Sequence, residues 1–203
     1  MGRPKEYDEA LRARLVDCAT QALATGGVAA LSLRVVAAEA ATTTNAVYAL
    51  FGGKAGLVRA AMEQALANLK EEQARHVVES GDPRLDLSEL ARSYRRWAVR
   101  FPALYSIIFE GRVFDDEQPL AYTSAYPAFD RLVEAVRRAA DAGQLSESDA
   151  QRVALSLWTS IHGWITLEPV LLGECSEEER VAAFDAHLAG VGRAWFVEAS
   201  RGA

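Results

Sequence analysis

Residues 42–54 read TTTNAVYALFGGK. Three threonines and an asparagine lead into a short apolar patch with one tyrosine, and two glycines and a lysine close it. No residue here is an obvious acid, base or metal ligand. Val47 and Phe51 stand one helical turn apart, so both face inward from a short helix. Thr43, Thr44 and Asn45 crowd its N-terminal end, where short polar side chains cap helices. Gly52-Gly53 stops it. Such a helix is too short to form a core, so it must be carried on something larger.

The neighbouring sequence supplies the support. Leu11, Leu15, Ala19, Ala22 and Leu23 form one apolar stripe on a first helix, which Gly26 and Gly27 end. Ser32 is placed to cap a second, short helix, with Leu31 and Val36 as a hydrophobic staple. Two short helices joined by a tight turn, after a longer supporting helix, make a helix-turn-helix. The second short helix of such a unit sits in the DNA major groove. Thr43, Thr44 and Asn45 then fall at the end that reaches base edges. Threonine offers a hydroxyl and a methyl, and asparagine can pair bidentately with adenine. Tyr48 and Lys54 are placed to meet phosphates.

The segment LSLRVVAAEAATTTNAVYALFGGKAGLVRAAM resembles the DNA-binding segment of the TetR family of bacterial transcription regulators, over roughly residues 8–62. The resemblance implies that Ser32 and Arg34 contact phosphate, Thr43 to Asn45 bases, and Tyr48 and Lys54 phosphate. Two positions depart from the family pattern. Ala41 stands where glycine is usual, and Ala49 and Leu50 stand where a basic or histidine side chain is frequent. The recognition helix therefore has no cation of its own. Arg3 and Lys5, in GRPK, are candidates for an arm in the minor groove of A·T-rich DNA, with a solvated tail as the alternative.

The chain's 203 residues carry a net charge of −6. Residues 1–60 hold seven Lys/Arg against five Asp/Glu, a slightly basic head on an acidic body. No apolar run approaches the roughly 18 residues of a membrane span, and the N-terminus lacks the apolar region of a secretory signal. Cys18 and Cys175 lie far apart without metal-ligand spacing, which suits a reducing cytoplasm. No Gly-rich phosphate loop, HExxH or serine elbow is present, so neither an enzyme nor a cofactor is expected. His162, Glu168 and His187 match no metal motif, and no metal is expected.

The remaining pattern is helical, and the fold class is all-α with about nine helices. A long fourth helix starts at Lys54, and SGDP at 80–83 breaks the pattern. Asp86 with Glu89 reads as a capping box for the next helix. Further helices cover Pro102 to Phe109, a segment around Phe129 to Val136 closed by Gly143, about Ser148 to Leu172, and Ser176 to about Ala199. This division gives a DNA-binding domain over 1–53, a linking helix over about 54–79, and a ligand-binding and dimerisation domain over 80–203.

The last two helices are apolar on more than one side. Leu157, Ile161, Trp164 and Ile165, with a heptad-like seam of Val181, Phe184, Leu188, Val191 and Trp195, are expected to pair with a second copy. A homodimer sets two recognition helices one duplex turn apart. Trp97, Phe101, Tyr105, Phe109, Tyr126, Trp158 and His162 are candidates for a pocket for an apolar effector. The short segment LWTSIHGWITLE resembles a Trp/His-Gly element of one TetR subgroup. The expected function is a ligand-responsive repressor that binds a palindromic operator as a dimer and releases it on binding a small apolar or aromatic effector. The competing reading is a helical protein-interaction module without specific DNA binding.

Overall fold

The computed structural model describes residues 9–76, 80–110 and 126–197, and among these it contains nine α-helices. The first, α1 (Glu9–Ala30), loses helical geometry at Gly26 and Gly27, where the sequence places its end. Then come α2 (Leu33–Glu39), α3 (Thr44–Phe51) and α4 (Lys54–His76). Leu15, Ala19 and Leu23 of α1 are buried with Leu31, Val36, Val47, Leu57 and Val58. The apolar stripe of α1 and the staple residues therefore build one small core. Among the described residues no helix is long and apolar enough to cross a membrane.

The turn between α2 and α3 shows how alanine replaces the glycine usual at its bend. Ala41 adopts a left-handed φ of 53°, a region that side chains with a Cβ rarely enter. Two backbone bonds hold it there: Thr42 N–H to Ala37 O at 2.8 Å and Ala41 N–H to Ala38 O at 3.0 Å. This is the paired closure of a Schellman turn. A left-handed alanine costs about 1–2 kcal/mol, and glycine's extra freedom when unfolded returns part of that. Ala41→Gly should therefore stabilise the chain by about 1 kcal/mol, read as a higher urea midpoint at unchanged slope.

The remaining helices are α5 (Pro83–Arg100), α6 (Pro102–Glu110), α7 (Tyr126–Asp141), α8 (Ala150–Leu171) and α9 (Glu177–Trp195). The described residues form two compact units. One contains α1 to α3, α4 as far as Leu69, and α6. The other contains the end of α4, α5 through Val99, and α7 to α9. Sequence division assigned α6 to the C-terminal domain, whereas α6 packs on α1 within the first unit.

Two helix ends differ from the sequence reading. Asp86 does not open α5 as a capping residue. The helix begins three residues earlier at Pro83, with Asp82 accepting from Arg84 N–H at 2.9 Å. Proline is suited to a first helical position, and this start wins. Asp86 is instead buried and accepts from Ser80 N–H at 2.9 Å and Ser80 Oγ at 2.7 Å. The last helix ends at Trp195, short of Ala199, because Phe196 turns extended and bridges Leu145. Ser176 and Glu179 do form a reciprocal capping box at its start.

Candidate nucleic-acid interface and bundle cavity

In the first unit, Ala46 and Val47 are buried and fix the orientation of α3. Thr43, Asn45 and Ala49 are left exposed, and Tyr48 is 59% exposed. Thr44 is half-buried. Ser32 and Thr43 occupy the N-cap positions of α2 and α3 in extended backbone, yet neither side chain makes a capping hydrogen bond. The capping expected of Ser32 is thus met in position and not in bonding. Both residues are exposed, so water can serve the first-turn N–H groups instead. Neither helix has an acidic residue in its first turn to offset its positive N-terminal end. Arg34 is exposed nearby in sequence.

Lys54 is half-buried, and its Nζ donates to Val28 O at 2.9 Å. It therefore ties the chain after the α1 break to the start of α4. That tether went unseen in the sequence, where Lys54 was read for phosphate alone. Arg12 lies 5.3 Å from the centre of the Phe51 ring, a cation-π contact at the end of α3. Arg3 and Lys5 lie outside the described residues.

The second unit holds a cavity of about 350 Å³. Leu90, Tyr94, Leu132, Leu157, Trp158, Ile161, Leu188 and Val191 give it apolar walls, and Gln73, Arg84, Arg92 and Asp185 add polar groups. Arg92 is paired with Asp185 at 2.8 Å and Glu89 at 2.7 Å. Of the residues expected around an effector, Trp158 lines this cavity. His162 sits behind it, its Nδ1 3.2 Å from the Tyr94 hydroxyl and its ring 5.4 Å from Trp158. Trp97 is buried in the same unit. Phe101, Tyr105 and Phe109 belong to the first unit, where the Tyr105 and Phe109 rings lie 5.0 Å apart. The side chain of Tyr126 lies outside the described residues.

The residues expected at a dimer seam divide three ways. Leu157, Ile161, Leu188 and Val191 line the cavity. Ile165 and Phe184 are buried by the chain itself, with Trp164 and Trp195 half-buried. Val181 is exposed. The large apolar side chains of α8 left exposed are Leu155, Leu167, Val170 and Leu171. A helix apolar on every side gives no periodic signal for which face its own core covers.

In the second unit, α5, α8 and α9 meet at a buried ion pair. Arg95 and Glu168 are 3% and 4% exposed and meet through two bonds, of 2.7 and 2.5 Å. Trp164 Nε1 donates to Glu168 at 3.1 Å, and Glu177 accepts from Arg95 at 2.9 Å. The bonds to Glu168 hold the Arg95 guanidinium still more firmly protonated than usual.

Burial pushes both His162 and His187 below their ordinary pKa of 6.5, at His187 against a hydrogen bond to the Ser160 backbone that favours the charged ring. The unfolded chain therefore binds these protons at a higher pH than the folded one. The stability involved is complete above the unfolded pKa and is lost as pH falls through the depressed folded values. The melting temperature should drop as pH falls below about 6.5, and the double variant His162→Gln, His187→Gln should flatten that drop.

Residues 15–61 match the family model for bacterial regulatory proteins of the tetR family. Residues 87–190 match that for tetracyclin repressor-like C-terminal domains. Among curated proteins, an HTH-type transcriptional regulator, Rv1816 of Mycobacterium tuberculosis, is 26% identical over 111 residues, covering 54% of this chain and 47% of that one. The chain thus spans about half the length of the curated relatives it matches. A protein of unknown function from Rhodococcus sp. RHA1 superposes with a TM-score of 0.73 at 26% identity, covering 93% of this chain and 98% of that one. SmeT, the repressor of the Stenotrophomonas maltophilia multidrug efflux pump SmeDEF, superposes at 0.67 with 22% identity and 94% coverage of both chains. FadR of Bacillus subtilis in complex with stearoyl-CoA does so at 0.72 with 14% identity, covering 89% of this chain and 97% of that one. The last two likenesses concern the fold alone.

Proposed function

The chain belongs to the TetR family of bacterial regulatory proteins, and from that premise we propose that it is a ligand-responsive repressor. It binds a palindromic operator as a homodimer, with recognition helices about 34–36 Å apart, and a small apolar or aromatic effector in the bundle cavity releases it. It works in the cytoplasm, where the operator lies, and blocks transcription by occupying the promoter. Residues 1–53 contact DNA, and the ligand and dimer functions lie in 80–203 apart from α6, which packs within the first unit; α4 leads out of the DNA-binding part.

The observation that carries this reading is the set of uncommitted polar groups at the start of the two short helices. Ser32, Thr43, Asn45 and Tyr48 are exposed, and the two N-cap hydroxyls make no capping bond. Hydroxyl and amide groups held outward on a buried apolar base are what phosphate and base-edge contacts need. The homodimer uses the outward apolar face of α8 together with Val181 of α9.

The two kinds of contact have different signatures. Asn45→Ala should relax preference at one base pair by about 1–3 kcal/mol. Ser32→Ala, with no capping bond to lose, should weaken every duplex alike and leave folding unchanged. Binding curves on matched duplexes that differ at single positions separate the two. Equal loss on every duplex from both variants would contradict this division of roles.

A further inference from the structure

On α4, Met62, Ala65, Leu69 and Gln73 follow one another at helical spacing and are all buried. The position of Gln73 is thus one where an aliphatic side chain would be expected. Gln73 is 2% exposed and lines the cavity of the second unit, and its Oε1 is buried without a hydrogen-bond partner. Buried amide oxygens are nearly always served by a donor, and one that is not destabilises the chain that carries it. The cavity's apolar and aromatic walls include Leu90, Leu157, Trp158 and Ile161, and its polar side chains besides Gln73 include Arg84 and the paired Arg92 and Asp185. The volume of about 350 Å³ suits a small molecule.

We propose that this cavity selects a neutral apolar molecule carrying an O–H or N–H donor, which Gln73 Oε1 accepts while the apolar body rests against Trp158 and its aliphatic neighbours. The proposal rests on the reading of the chain as effector-responsive, and it adds the chemistry by which the effector is chosen. A site built to hydrogen-bond a substituent discriminates strongly against an analogue lacking it, because the buried polar group is then left unpaired. Gln73 is accordingly a specificity-determining residue, and hydrocarbons or ethers of the same shape are poor ligands.

The test is a titration of the full chain with 4-phenylphenol and with its O-methyl ether, 4-methoxybiphenyl, followed by tryptophan fluorescence and by melting temperature. The wild type should bind the phenol about tenfold more tightly than the ether, or better. Gln73→Leu should bind the two alike and melt above the wild type when no probe is present. Gln73→Met, closer to glutamine in shape, should lose the preference in the same way if the leucine variant folds poorly. Equal binding of both probes by the wild type, binding of neither, or a preference that survives both substitutions would overturn the proposal. Retention on operator DNA, measured in the same samples, separates this from the wider reading. A phenol preference without DNA release leaves the site standing and sinks the effector role. Intact DNA binding with no phenol preference sinks the site alone.

Discussion

Glu168→Ala should destabilise the second unit by about 3–5 kcal/mol, the range for breaking a buried ion pair by removing one partner. The variant leaves Arg95, only 3% exposed, with its charge buried. Glu177, the other carboxylate bonded to it, is 54% exposed and compensates poorly for the loss. It also strips Trp164 Nε1 of its acceptor. Much of the cost lies in the stranded guanidinium, so removing both charges should be far milder. Arg95→Met with Glu168→Leu should recover most of the stability. Urea denaturation of the two variants and the wild type checks this, and a double variant as unstable as Glu168→Ala would show that the loss comes from packing instead. Since α5, α8 and α9 also build the cavity walls, Glu168→Ala should weaken probe binding there as well.

Gly56→Ala should cost about 3 kcal/mol and should abolish DNA binding. A Cβ at Gly56 would collide with the carbonyl oxygen of Phe51, the last residue of α3. Overpacking costs about 1–3 kcal/mol where side chains can adjust. Here the obstacle is backbone, so the start of α4 or the end of α3 must move. Movement at that point displaces Phe51 and the tether from Lys54 to Val28, which set the seat of the recognition helix. Thermal melting and duplex binding should therefore fail together. A variant that melts normally yet loses DNA, or one that keeps both, would show that the junction yields without cost.

The helical content and the N-terminal helix-turn-helix were legible because they rest on local signals. Apolar spacing marked α1, paired glycines marked its break, and an eight-residue helix with a Thr/Asn start marked α3. Lys54 shows where locality ends. Its type and position suited a phosphate contact, and only the folded chain brings the Val28 carbonyl 26 residues away to its ammonium. Gln73 was legible in principle, as a polar residue continuing the buried stripe of α4. It drew no notice because a single glutamine on a long helix is ordinarily solvent-exposed. The aromatic cluster was misleading for a different reason. Ring-rich segments mark burial without saying in which unit, and Phe101, Tyr105 and Phe109 fall in one while Trp97, Trp158 and His162 fall in the other. The outward apolar face of α8 could not be told from its inward face until the packing of α9 and α5 was known.

On the proposed function, α3 reads base sequence as one of a symmetric pair. Passing the purified chain over a random duplex library at two salt concentrations, and sequencing what is retained, tests it most directly. The expected result is an enriched palindrome whose half-sites lie one helical turn apart, or a multiple of it, and which persists at the higher salt. Retention without any motif, vanishing as salt rises, would mean that only the basic head touches DNA, and would contradict it.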